Sequence, residues 1–357
     1  MNEARLARVF DNMRQQQITQ ILVTDTASIY YLTGLWVEPH ERMLALYLEL
    51  DGRQALFGNE IFGLTSCGMD LEICTHTDSQ NPVEGLAKMV RPGPLGVDKF
   101  WPSKFLIGLM KLRADIRPVH GSLPVDLARM YKDEQEIAAL RHASAVNDRV
   151  VQGAIAAVHD GATEQELASL VNRLYLQNGA DKEGEQLVCF GANAADPHHS
   201  AGPDLLKEGD GIVFDLFTPI GRYWCDMTRT VFYRGADEEQ KRVYELVRRA
   251  NQAAEEAIRP GLPLCEIDAI ARRVIEEGGY GPRFTHRLGH GIGLNCHEPP
   301  DVSAASTAVA APGMVFSVEP GIYLPGRLGV RIEDLVLVTE TGCEVLNKAS
   351  KELQIVS

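Results

Sequence analysis

Apolar positions in the first third of the chain switch between helical and strand spacing. An amphipathic opening, MNEARLARVFDNMRQQQ, is followed by short apolar runs at QILVT (20–24), MLALYLEL (43–50), QALFG (54–58) and LGVD (95–98). Helices interleaved with short strands predict a small α/β domain. RPVHGSLPVD (117–126) is rich in proline and glycine, and KDEQEIAALRHASAVNDRVV, from Lys132 onward, joins an acidic first turn to helical apolar spacing. The first stretch reads as a connection and the second as a long helix. The domain boundary is therefore expected near 124–132, dividing the chain into 1–125 and 126–357.

The second part repeats itself. DGATEQELASLVNRLYLQNG (160–179) and PGLPLCEIDAIARRVIEEGG (260–279) align without a gap at an offset of 100, matching Gly161 with Gly261, Glu166 with Glu266, Arg173 with Arg273 and Gly179 with Gly279. A long helix precedes each copy and a strand-rich stretch follows it. The pattern predicts a duplicated α+β half and a pseudo-symmetric domain.

Each strand-rich stretch carries two acids. GIVFDLFTPIGRYWCDMTRTVFY (211–233) reads as a hairpin turning at Ile220 and Gly221, which sets Asp215 opposite Asp226. MVFSVEPGIYLPGRLGVRIEDLVLVT (314–339) centres near Gly326 and sets Glu319 opposite Glu333. Pro320 cannot donate to a ladder, which suits a strand end opening into a site. Singly, each acid reads as a solvated surface group. As two mirrored pairs they repel across the strands unless a cation lies between them. Four carboxylates with a histidine form a hard ligand set that suits manganese, cobalt or zinc, and two bridged divalent ions would use all five groups. THRLGHGIGLNCHEPP (285–300) supplies three histidines, of which His290, between glycines that permit close backbone approach, is the best nitrogen donor.

Composition narrows the class. The 357 residues are 45% hydrophobic and 24% charged, as expected of a globular chain with two domains. No apolar run is long enough to span a bilayer and the opening has no signal-like apolar region, so a cytoplasmic protein with no membrane partner is expected. The seven cysteines form no C-x-x-C pair, which predicts reduced thiols. A formal charge of -14 without a basic cluster argues against nucleic acid. GHGIG is not a dinucleotide fingerprint and HEPPD is not H-E-x-x-H.

FDLFTPIGRYWCDMTRT, HRLGHGIGLNCHEPP, SVEPGIYLPG and GVRIEDLVLVTETG together resemble the metal-binding blocks of the pita-bread metallopeptidases, a family that includes methionine aminopeptidase, aminopeptidase P and prolidase. The resemblance implies an α/β N-terminal domain before an α+β pita-bread catalytic domain with an internal pseudo-two-fold duplication. It implies that Asp215, Asp226, His290, Glu319 and Glu333 bind two divalent ions per chain, manganese first and cobalt or zinc as alternatives. By the same likeness His198 rather than His199, with His297, Glu319 and Arg331, is catalytic, and His286 lines or packs the pocket wall. YLTGLWVEPHERMLALYLEL is similar to bacterial Xaa-Pro dipeptidases, which brings in His40 and Arg42 as substrate-binding groups and a homodimer, with Arg287 and Arg331 of the catalytic domain as rival carboxylate partners. The reaction implied is hydrolysis of Xaa-Pro dipeptides by a hydroxide bridging two metals. The alternatives are an Xaa-Pro aminopeptidase acting on longer peptides, a metal-free creatinase-like hydrolase and a non-catalytic binding protein of the same fold.

Overall fold

The computed structural model describes residues 1–50, 52–66 and 71–357, so Cys67 lies outside the described residues. The other six cysteines are free thiols. Contacts divide the chain into two units, Met1–Arg129 and Met130–Ser357.

In the first unit the predicted alternation of elements folds as α1 (Glu3–Gln15), β1 (Gln20–Val23), α2 (Thr26–Thr33), β2 (Leu44–Glu49), β3 (Gln54–Asn59), β4 (Glu72–His76), α3 (Glu84–Met89), β5 (Gly93–Val97), α4 (Ser103–Leu112), β6 (Ile116–His120) and α5 (Leu123–Met130). The strands make one mixed sheet in the order β4-β3-β2-β1-β5-β6. Its central strands are the apolar runs of the sequence. The two edge strands escape that pattern because an edge strand need bury little: β4 has no fully buried residue, and β6 carries Pro118, which an edge tolerates. The Pro/Gly-rich stretch at 117–126 is thus strand and helix rather than a loose connection.

The second unit is the duplicated α+β fold. Its first half contains α6 (Glu134–Ala156), α7 (Glu164–Gln177), β7 (Leu187–Phe190) and the hairpin β8 (Gly211–Ile220) and β9 (Tyr223–Tyr233). Its second half contains α8 (Glu238–Ala257), α9 (Leu264–Glu277), β10 (Gly289–Gly291), β11 (Glu298–Val302), β12 (Val315–Val318), β13 (Gly321–Leu324), β14 (Leu328–Arg331), β15 (Asp334–Val338), β16 (Cys343–Val345) and β17 (Ile355–Val356). The long helices α6 and α8 both start from an aspartate capping box, Asp133 with Glu136 and Asp237 with Gln240. A buried asparagine on each long helix donates to a carbonyl beside an acid of the strands, Asn147 to Leu216 at 3.0 Å and Asn251 to Val318 at 2.9 Å. These mirrored anchors set the acid-bearing strands against their helices in both halves. Apolar side chains from α6, α7 and one face of β8 and β9, including Val146, Val171, Phe214 and Met227, form the core beneath the hairpin. Among the described residues no helix is long and apolar enough to cross a membrane.

Candidate metal centre

The hairpin register differs from the sequence reading. Gly221 and Arg222 both have positive φ, 57° and 75°, and form the two-residue turn. Ile220 therefore pairs with Tyr223, Asp215 with Thr228 and Phe217 with Asp226. Asp215 and Asp226 are not directly opposite but diagonal neighbours on one face, a spacing of roughly 7–8 Å between backbones that lowers their repulsion. The sequence missed this because Arg222, a non-glycine residue, takes a conformation expected of glycine. In the second half Val318 pairs with Asp334 and Gly321 with Arg331. These two pairs bracket Glu319 and Glu333 in a single register, so those acids face each other where Pro320 interrupts the ladder.

His290 lies at the middle of β10, between strands β11 and β12. A Cβ on Gly289 would collide with the Ser317 carbonyl and one on Gly291 with the Pro299 backbone. Only glycine permits both approaches, and they bring His290 among the acids. Its Nε2 is 3.4 Å from Glu319 Oε1 and 3.7 Å from Asp226 Oδ2. Asp226, His290 and Glu333 are all buried and offer ligand atoms within 4.8 Å of one another. Burial and the neighbouring carboxylates push Asp226 and Glu333 well above the usual carboxylate range, and burial pushes Glu319 up to about 7. Burial and the facing His297 hold His290 down to about 3, which leaves the imidazole neutral. A neutral imidazole among crowded, desolvated acids is a donor set that fits divalent cations, which supply the charge the acids lack.

A hydrogen-bond frame holds this set. Thr228 Oγ1 donates to Glu333 Oε2 at 2.7 Å, Ser317 Oγ to Glu319 Oε1 at 3.1 Å, and Cys296 Sγ to Asp226 Oδ2 at 3.5 Å. Arg331, buried, reaches Asp215 Oδ2 at 2.6 Å, Thr228 Oγ1 at 3.0 Å and the Tyr323 hydroxyl at 2.8 Å. His286 Nε2 meets the same hydroxyl at 2.9 Å, and burial holds this imidazole down to about 4. His297 is exposed, its ring centroid 4.0 Å from that of His290. The two adjacent histidines part company: the charge of His198 bears on His286 and His297, whereas His199 Nε2 is 2.9 Å from the buried Glu164. Sequence reasoning missed Thr228, Ser317, Tyr323 and Glu164. Thr228 and Ser317 were within reach, since each lies two residues from an acid and hence on the same strand face.

Of the remaining candidates, Arg287 is paired with Asp301 at 2.6 Å. His40 and Arg42 belong to the first unit, where Arg42 makes a two-pronged pair with Asp78 at 2.9 Å and also meets Glu41.

With this geometry in hand, residues 138–340 match the model of metallopeptidase family M24, and residues 5–131 match the creatinase/prolidase N-terminal domain. The chain belongs to metallopeptidase family M24. A Staphylococcus aureus relative of this M24 chain, named an uncharacterized peptidase, is 35% identical over 97% of the chain and 99% of its own length. A prolidase from Thermococcus sibiricus superposes with a TM-score of 0.94 at 31% identity, covering 100% of this chain and 99% of that one. The dipeptidase PepE from Mycobacterium ulcerans does so at 0.93 and 30%, covering 99% and 97%. The M24 chain is thus a metallopeptidase with the pita-bread architecture and an N-terminal creatinase/prolidase domain, and its buried acid–histidine cluster is a metal-binding candidate.

Proposed function

We propose that this chain is a dinuclear metallopeptidase that hydrolyses Xaa-Pro dipeptides. The observation that carries the reading is the buried convergence of Asp226, His290 and Glu333, with Glu319 beside His290 and Asp215 on the same hairpin face. These five residues would hold two divalent ions, manganese first and cobalt or zinc as alternatives. Bound there, such ions supply Lewis acidity and an activated water at neutral pH. Glu319, oriented by Ser317, accepts the proton of the attacking water. His198 and His297 position the scissile carbonyl and pass a proton to the proline nitrogen, which leaves as a secondary amine. Arg331 holds Asp215 and thereby sets one edge of the ligand set. The names of the two solved structures support the dipeptidase reading. In the same reading the protein is a cytoplasmic homodimer and Arg42, with His40 beside it, reads the free carboxylate of a substrate in the neighbouring subunit's cleft through two charge-assisted hydrogen bonds. Arg287 and Arg331 are the rivals for that task.

The test is hydrolysis of Leu-Pro, Leu-Pro-amide and Leu-Pro-Pro by metal-loaded protein, with metal stoichiometry by elemental analysis and mass by light scattering. Two ions per chain and a preference for Leu-Pro are expected, with Arg42→Ala impairing Leu-Pro more than its amide. Full activity and full metal content in Asp226→Asn and Glu333→Gln would refute the dinuclear site, and a preference for Leu-Pro-Pro would assign an aminopeptidase instead.

A further inference from the structure

The hairpin that carries Asp215 and Asp226 has one face in the core and one toward the acids. Phe214, Leu216, Cys225 and Met227 point into the core. By the two-residue period of a strand, Asp215, Phe217, Trp224, Asp226 and Thr228 share the other face. Phe217 pairs directly with Asp226, and Trp224 precedes Asp226 by two residues on β9. Two aromatic residues are therefore neighbours of Asp226 on this face, one across the hairpin and one along β9. Their centroids are 6.4 Å apart with planes inclined at 32°, and both rings are half-buried. Lys182, itself exposed, holds its ammonium 5.2 Å from the centre of the Trp224 ring. The Trp224 N–H donates to the Gly293 carbonyl at 2.8 Å, fixing the ring's backbone to the segment that leads to His297.

We infer that Phe217 and Trp224 form the subsite for the side chain of the substrate's first residue, and that this subsite takes a large apolar side chain. The inference rests on the peptidase reading above. In that reading the scissile carbonyl lies at the acid cluster, which places the residue that carries it beside the hairpin face of Asp226. Its side chain then meets the paired rings of Phe217 and Trp224. Paired rings are a rigid apolar surface that a leucine or phenylalanine side chain covers at little entropic cost, and glycine offers nothing to cover it. The ammonium of Lys182 at the rim repels a lysine side chain in the same place.

The experiment is kcat/KM of the metal-loaded full chain on Phe-Pro, Leu-Pro, Gly-Pro and Lys-Pro, with metal content measured for every variant. Wild type should favour Phe-Pro and Leu-Pro over Gly-Pro by about tenfold or more, the range that apolar pockets give. Trp224→Ala and Phe217→Ala should each cut that ratio several-fold, while Trp224→Phe, which keeps a ring, retains most of it. Lys182→Ala should raise Lys-Pro relative to Leu-Pro by about twofold, as fits an exposed charge. Should an alanine variant lose its metal, Trp224→Leu and Phe217→Leu decide by the same ratio. Unchanged ratios in metal-replete ring variants overturn the subsite and leave the peptidase reading standing. Failure of metal-loaded wild type to cleave any of the four dipeptides sinks the dipeptidase reading and the subsite with it.

Discussion

Glu164 gathers four donors: the N–H groups of Phe190 at 2.7 Å and Gly202 at 3.0 Å, Asn193 Nδ2 at 3.0 Å and His199 Nε2 at 2.9 Å. Being wholly buried, this carboxylate is an anchor for the segment in which His198 and His199 sit. The family resemblance selects His198 over His199, and the bond of His199 to the buried Glu164 is the physical difference between the two imidazoles. His198→Ala should lower kcat by about 10²- to 10⁴-fold, the range of acid/base groups, with metal content intact. His199→Ala should lower it far less and should chiefly reduce thermal stability. Steady-state kinetics with elemental analysis checks both, and a larger kcat loss at His199 would reverse their assignment. Other features were easier to read: the blocks around the four acids and His290 announce themselves by residue type, whereas Thr228 acts through a contact with Glu333, 105 positions away, and Tyr323 through the buried Arg331.

Among the elements, the duplication was legible because α7 and α9 obey the same helical period at an offset of 100, starting at Glu164 and Leu264. The edge strands β4 and β6 and the exact turn of the hairpin were not, since an edge strand leaves little apolar signal and Arg222 carries no mark of its positive φ. Nor was the role of Arg229 visible. Its five N–H donors are all used: on the carbonyls of Thr228, Glu333, Ala349 and Ser350 and on Asp334 Oδ1. It therefore fastens β9, β15 and the segment after β16 at one point, directly behind Thr228 and Glu333. Removing this buried guanidinium leaves four carbonyls without their donor and Asp334 with Lys351, at 2.9 Å, as its remaining cation. Arg229→Ala is expected to destabilise the protein by about 3–5 kcal/mol, measured by denaturant titration. A cost within about 0.5 kcal/mol, typical of surface substitutions, would show that the hub is dispensable.

For the molecule as a whole, the buried acid cluster makes stability depend on pH. Asp226, Glu319 and Glu333 have folded pKa values raised above their unfolded ones, Glu319 to about 7. The fold therefore binds more protons than the unfolded chain in the window between the ordinary carboxylate range, about 4, and that value. Stability is fully present below this window and is lost as pH rises through the folded values. Chelated protein should accordingly melt lower at pH 8 than at pH 5.5, and divalent metal should restore Tm chiefly at pH 8. Scanning calorimetry of wild type and Glu319→Gln checks this; an equal pH dependence in both would exclude the acid cluster as its origin. The Arg229 hub adds a further consequence, for synthesis on the ribosome. Ser350 is 121 positions beyond Arg229, and β17 lies alongside β9 in parallel register. A nascent chain that has already released every acid of the site still lacks the segment that clamps two of the strands bearing them. A firmly held acid cluster thus waits for residues 349–356 to settle against Arg229 and β9.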